Sequence, residues 1–118
     1  MNVLLDTCTF LWIVLDPPQL SATAGKLFQD PNNTCYLSSV SAWEIGVLYG
    51  LGRIKLAQPP DVFVPHYRVA HAIQPLELSE TAALHVIHLP PLHKDPFDRM
   101  LVCQAITHQM TLLTPDRG

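Results

Sequence analysis

The sequence predicts an α/β fold in which a parallel sheet is covered by helices on both faces. Three observations predict it. Short apolar runs, NVLL at 2–5, TCYLSSV at 34–40, IQPLEL at 73–78 and TLLT at 111–114, alternate with longer helix-like segments, the pattern of βαβ units. Apolar residues make up 48% of the chain and charged residues only 14%, which excludes disorder and suggests a well-buried sheet or a covered apolar face. The length of 118 residues suffices for one core and not for two, so the whole chain, 1–118, is expected to be a single domain.

Taken in order, residues 2–5 form a buried-strand run ending at the polar Asp6. Thr7 to Leu15 continues as a helix, stopped by Asp16-Pro17-Pro18. Ser21 is suited to cap a second helix through Phe28, and Asp30-Pro31-Asn32-Asn33 is a turn cluster. The β-prone segment Thr34 to Val40 precedes a helix over Ser41 to Tyr49, ended by Gly50 and Gly52. After a loop around Pro59-Pro60, Val62 to Ala72 reads as a helix despite Pro65. Ile73 to Leu78 reads as a strand whose Pro75 suggests an edge or a bulge. A helix from Ser79 to Ile87, a loop over 88–94, a helix from Pro96 to His108 and a strand over Thr111 to Thr114 complete the chain. There is no internal repeat and no low-complexity tract.

Composition narrows the class. No apolar stretch approaches the roughly 20 residues of a membrane span, and Asp6 interrupts what would be the core of a signal peptide. Cys8, Cys35 and Cys103 are scattered and are expected to be reduced, small core residues. A soluble cytoplasmic protein is the expectation. The net charge of −3 argues against a nucleic-acid partner only if every acid is solvated. Setting aside Asp6, Glu44, Asp98 and Asp116 leaves six acids against seven Lys plus Arg.

Those four acids share a placement. In open parallel sheets ligands sit beyond the carboxyl ends of the strands, near the point where strand order reverses. Asp6 follows the first strand and Asp116 closely follows the last. Glu44 lies in the first turn of the helix after the second strand, and Asp98 in the first turn of the helix before the last. If strands one, two and four are neighbours, four carboxylates meet at one end of the sheet. Such like charges raise one another's pKa unless a cation fills the space. An oxygen-only donor set selects a hard divalent ion, Mg²⁺ or Mn²⁺.

Each acid also has a plain structural explanation. Asp95-Pro96-Phe97-Asp98 has the grammar of a helix start, with Asp95 as the cap and Asp98 complementing the dipole. Ser41-Ala42-Trp43-Glu44 matches a capping box. Asp6 could cap the helix that follows it, and Asp116 could be a solvated loop acid. The helix behind Asp98 is apolar almost all round, which favours a functional carboxylate at its mouth. The common location of all four acids is what no single cap explains.

Other residues point less clearly. His66, His71, His85, His88, His93 and His108 show no cysteine-supported ligand spacing, although His85 and His88 are three apart. Ser38, Ser39 and Ser41 lack the Gly-x-Ser-x-Gly elbow, and no glycine-rich phosphate loop is present. Arg53, Lys55, Lys94 and Arg99 could contact phosphates but read more simply as a solvated surface. Phe10, Leu11, Trp12 and Trp43 read first as core packing and second as a dimer or partner contact.

The stretches LLDTCTFLW, SSVSAWEIGVLYGLGRIKL and HKDPFDRMLVCQAI together resemble the PIN domain family, and within it the VapC-type ribonuclease toxins of bacterial toxin–antitoxin pairs. The likeness covers nearly the whole chain in the right order. It implies a three-layer α/β/α sandwich with a central parallel sheet, an acidic pocket holding Mg²⁺ or Mn²⁺, and endonucleolytic cleavage of RNA. It also implies a homodimer and a cognate antitoxin that inserts a segment near the acidic groove. Carried over by position, the family's acids fall on Asp6, Glu44, Asp98 and Asp116, with Asp95 as a capping neighbour and Thr114 before the fourth. The chain stops at Arg117-Gly118, where relatives continue into another short strand. The expectation is therefore a domain shortened at its C-terminus, with the Asp116 loop weakly anchored.

The resemblance and the acids together imply metal-assisted phosphodiester hydrolysis. Asp6 and Asp98 are the expected metal ligands, Glu44 orients or deprotonates the water, and Thr7 and Thr114 hold carboxylates in place. Two alternatives compete. One is a catalytically inactive PIN-like interaction module whose acids only cap helices. The other is an aspartate-based phosphohydrolase, against which Asp6-Thr7-Cys8 lacks the second acid of an Asp-x-Asp motif.

Overall fold

The computed structural model describes residues 1–15, 17–91 and 95–115. Four strands, β1 (Asn2–Leu5), β2 (Thr34–Ser38), β3 (Gln74–Leu76) and β4 (Thr111–Leu113), form one parallel sheet in the order β3-β2-β1-β4. The helices are α1 (Thr7–Leu15), α2 (Ala22–Gln29), α3 (Ser39–Gly50), α4 (Pro60–Ala70), α5 (Glu80–Leu84) and α6 (Pro96–His108), with 3₁₀ turns at Pro17–Gln19 and His85–His88.

Strand alternation divides the core into two layers. Val3, Leu5, Cys35, Leu37 and Leu113 face Phe10, Ile13, Ala24, Ile45, Phe63 and Val64 of α1 to α4. Leu4, with the partly buried Tyr36 and Leu112, faces the opposite way, toward Leu101 and Ala105 of α6 and toward Val40. The three-layer α/β/α sandwich follows from this split. In register, Leu5 stands level with Leu37 and Leu113. The next residues, Asp6, Ser38 and Thr114, therefore emerge at one sheet edge. From β1 the chain crosses to β2 on one side, while β4 returns on the other, so the order reverses at Asp6.

Several boundaries differ from the sequence expectation, each for a local reason. The second strand ends at Ser38 rather than Val40, because the Ser38 hydroxyl accepts from the Val40 amide at 2.9 Å and caps α3. Helix α3 thus begins at Ser39, not Ser41, and Ser41 becomes a fully buried helical residue. Gly50 stays inside α3, and Gly52, at φ +71°, makes the left-handed turn beyond it. Ala72 and Gln109, both at φ 56°, play that part after α4 and α6. Amides of the next residues, Ile73 and Met110, donate to Arg68 and Ala105 oxygens at 2.9 and 2.8 Å, the signature of a Schellman end. Helix α4 runs through Pro65, which is exposed, and the helix after Ser79 tightens into the 3₁₀ turn at His85.

Two packing expectations are corrected. Cys35 and Cys103 are buried, and burial raises both thiols above their ordinary pKa, but Cys8 is exposed because it points outward from the first turn of α1. Phe10 is fully buried and Leu11 packs against the core, yet Trp43 is 61% exposed. Trp43 lies on the outer face of α3, where its ring meets Phe97 edge-on at 4.8 Å.

Candidate active site

Asp6 emerges where β1, β2 and β4 end, and its charge, with those of Asp95 and Asp98, acts on Glu44. The Asp6 amide donates to the Leu113 carbonyl at 3.0 Å, continuing the β1–β4 ladder one residue past the strand. Its carboxylate Oδ1 then accepts from the Thr9 amide at 2.7 Å, capping α1, while the Thr9 hydroxyl donates to the same Leu113 carbonyl at 3.2 Å. Asp6 is buried, so both of its backbone tethers fix the carboxylate at the sheet edge. The capping explanation is therefore real for one oxygen of Asp6.

Glu44 is freed from the capping explanation altogether. Because Ser38 caps α3, Glu44 stands in the second turn rather than the first, too far along to reach back to the cap amide. Its Oε1 accepts instead from the Thr7 hydroxyl at 2.6 Å, joining α3 to the first residue of α1. Burial pushes the Glu44 carboxyl above its ordinary pKa, the Thr7 hydrogen bond opposes that, and the charges of Asp95, Asp98 and Asp6 push it further up. Four carboxylates thus act within one electrostatic neighbourhood.

Helix α6 supplies two of them. Asp95 caps it, with Oδ1 accepting from the Phe97 amide at 2.9 Å, and Pro96 occupies the first helical position. Asp98 is in the first turn and half-buried. Arg99 donates from Nη1 to the Pro90 carbonyl at 3.2 Å, pinning the preceding loop. Thr114, expected to support a carboxylate, is exposed after β4. Arg53 and Lys55 are exposed beyond α3. Asp116, Lys94 and His93 lie outside the described residues.

The donor chemistry suits a hard cation, since Asp6, Glu44, Asp98 and Asp95 offer only oxygen and their mutual repulsion is what a divalent charge relieves. Among the described residues, however, no three His, Cys, Asp or Glu side chains are grouped closely enough to hold a metal ion. His85 and His88, with ring centroids 5.4 Å apart, form a pair on their own 3₁₀ turn. What sequence reasoning missed are the buried amide of Gln104 and the cap at Ser38. The Ser38 hydroxyl donates to Gln104 Oε1, and Gln104 Nε2 donates to the Glu77 carbonyl at 3.3 Å. A glutamine inside an apolar helix was the available signal.

A family model for the PIN domain matches residues 3–118. The chain belongs to the PIN domain family. This PIN domain is 32% identical over 72 residues to Ribonuclease VapC16 of Mycobacterium tuberculosis (strain ATCC 25618 / H37Rv), an alignment covering 58% of the chain and 51% of that protein. The chain thus spans about half the length of the curated relative it matches. Its fold is similar to that in VapBC2 from Rickettsia felis bound to a DNA fragment from their promoter, with a TM-score of 0.73 at 19% identity over 98% of this chain and 89% of that one. A toxin–antitoxin complex from Klebsiella pneumoniae gives a TM-score of 0.62 at 15% identity, covering 97% of this chain and 86% of that one. FitAcB from Neisseria gonorrhoeae gives 0.57 at 20% identity, over 98% and 88%. At these identities the structures establish the shared PIN fold.

Proposed function

We propose that this PIN domain is a Mg²⁺- or Mn²⁺-dependent endoribonuclease, the toxin of a toxin–antitoxin pair. The observation that carries the reading is Glu44, held by the Thr7 hydroxyl at 2.6 Å and charged upon by Asp6, Asp95 and Asp98. A helix cap needs no such convergence. The relative's name, Ribonuclease VapC16, supports RNA as the substrate, and the toxin–antitoxin complex among the similar folds supports an antitoxin partner.

In this reading Asp6 and Asp98 hold the ion, with Asp116 as a further ligand. A bound divalent ion supplies a water of lowered pKa and charge for the phosphate oxygens. Glu44 orients that water or takes its proton, a task suited to a carboxyl whose pKa burial raises above its ordinary value. Thr7 holds Glu44 in place. Thr9 and the Leu113 carbonyl hold Asp6. No helix among the described residues is long and apolar enough to cross a membrane. A toxin of this kind would work on the RNA of the cytoplasm.

A second copy fits the outer face of α3, where Trp43 and Val47 are exposed and Gly46 and Gly50 leave open space for a close backbone approach. One observation favours a rival, the inactive PIN-like module: Asp6 and Asp95 each give an oxygen to a helix amide. Mutation separates the two. Asn caps helices about as well as Asp, so Asp6→Asn should fold normally yet lose Mg²⁺-dependent cleavage of RNA, as should Asp98→Asn. Cutting at the wild-type rate by either variant contradicts the nuclease.

A further inference from the structure

Gln104 is fully buried in the third turn of α6, among Leu101, Cys103 and Ala105. Its volume there could be filled by Met or Leu without burying an amide, and burying an amide is costly unless each end is hydrogen-bonded. Both ends are. The Ser38 hydroxyl donates to Oε1, and Nε2 donates to the Glu77 carbonyl at 3.3 Å. Ser38 in turn accepts from the Val40 amide, so the same hydroxyl caps α3.

The spacing gives this clasp its meaning. Gln104 is six residues after Asp98 on α6, and Glu44 is six residues after Ser38, which caps α3. Six helical residues span about 9 Å. The two helices that carry Glu44 and Asp98 are therefore joined, one short helical segment from each acid, by a buried directional bond. Apolar packing between α3 and α6 tolerates sliding, whereas a hydrogen bond between a cap hydroxyl and a buried amide defines one register. The third contact, to Glu77, ties the same point to the chain just beyond β3.

We infer that Gln104 is a positioning residue that sets the separation of Asp98 from Glu44 by clasping the α3 cap at Ser38. The inference rests on the reading of those acids as a divalent-metal site. It is tested by titrating Mn²⁺ into the full chain by calorimetry at pH 6, with thermal unfolding in EDTA recorded alongside. Gln104→Met keeps the volume and removes both bonds. It is expected to stay folded in EDTA but to bind Mn²⁺ about tenfold more weakly, the lower end of what loss of a supporting contact does to a metal site. Gln104→Glu, whose buried carboxyl keeps its proton, offers the same acceptor and donor and is expected to match wild type within about twofold.

A folded Gln104→Met with wild-type Mn²⁺ affinity overturns the inference and leaves the metal reading intact. So does a Gln104→Glu variant as weak as the Met variant. If Gln104→Met does not fold, Ser38→Ala cuts the same bond from the α3 side, and unchanged Mn²⁺ affinity there is equally fatal. Absence of Mn²⁺ binding by the wild-type chain overturns the metal reading and, with it, this one.

Discussion

Thr7 donates its hydroxyl to Glu44 at 2.6 Å, across 37 positions of sequence, and so joins the first residue of α1 to the second turn of α3. The bond stabilises the charged form of Glu44 against the burial that opposes it. Thr7→Val removes the hydroxyl at constant shape. Its expected effect is a Glu44 pKa still further above the ordinary carboxylate range, so the rise of RNA cleavage with pH moves to higher pH. Thr7→Ser should restore the wild-type profile. A pH–rate series on the three proteins decides, and an unmoved profile in Thr7→Val removes Thr7 from the site.

Glu44 also couples fold stability to pH. Its folded-state pKa lies above its unfolded value, so the folded state binds the proton more tightly. The stability associated with that proton is complete below the unfolded pKa and is lost as pH rises through the raised folded value. Glu44→Gln lacks this loss. In EDTA the variant should therefore gain stability on wild type as pH climbs from 4 to 8, read as urea midpoints. Parallel curves for the two proteins would show that the carboxyl is solvated like any surface glutamate.

Helix ends give a prediction independent of function. Ala72 is exposed at φ 56°, a conformation that costs an L-residue about 1–2 kcal/mol and glycine almost nothing. Ala72→Gly should stabilise the domain by about 0.5–1 kcal/mol after the added freedom of the unfolded chain is counted. Gly52→Ala, at φ +71° with open space around its Cβ, should destabilise by a similar amount through backbone strain alone. Thermal unfolding checks both signs.

The exposed ring of Trp43 on α3 is expected to be covered by a second copy. Trp43→Glu should lower the sedimentation coefficient at concentrations where wild type is dimeric, whereas Trp43→Phe should not. A monomeric wild-type chain at high concentration would contradict the dimer.

Most of the architecture was legible because it rests on periodicity. The runs at β1 and β4 and the Asp95-Pro96 start of α6 needed no partner to be recognised. The start of α3 did need one. Three serines at 38, 39 and 41 are equally good caps in sequence, and only the packing of Ser38 against Gln104 selects among them. That two-residue shift removed Glu44 from the capping position and left it to accept from Thr7. The acids themselves were legible by type and by position after strands, while their supports, Thr9 at the Leu113 carbonyl and Gln104 at Ser38, depend on contacts 104 and 66 residues apart.

On the proposed reading, these carboxylates are tolerable together because a divalent cation binds among them. Thermal unfolding at pH 7.5 with and without Mn²⁺, on wild type and Asp98→Asn, tests it most directly. At a Mn²⁺ concentration a hundred times the dissociation constant, wild type should gain about 2.7 kcal/mol, roughly 10 °C in Tm, and Asp98→Asn far less. Equal curves with and without Mn²⁺ in the wild-type protein would contradict it.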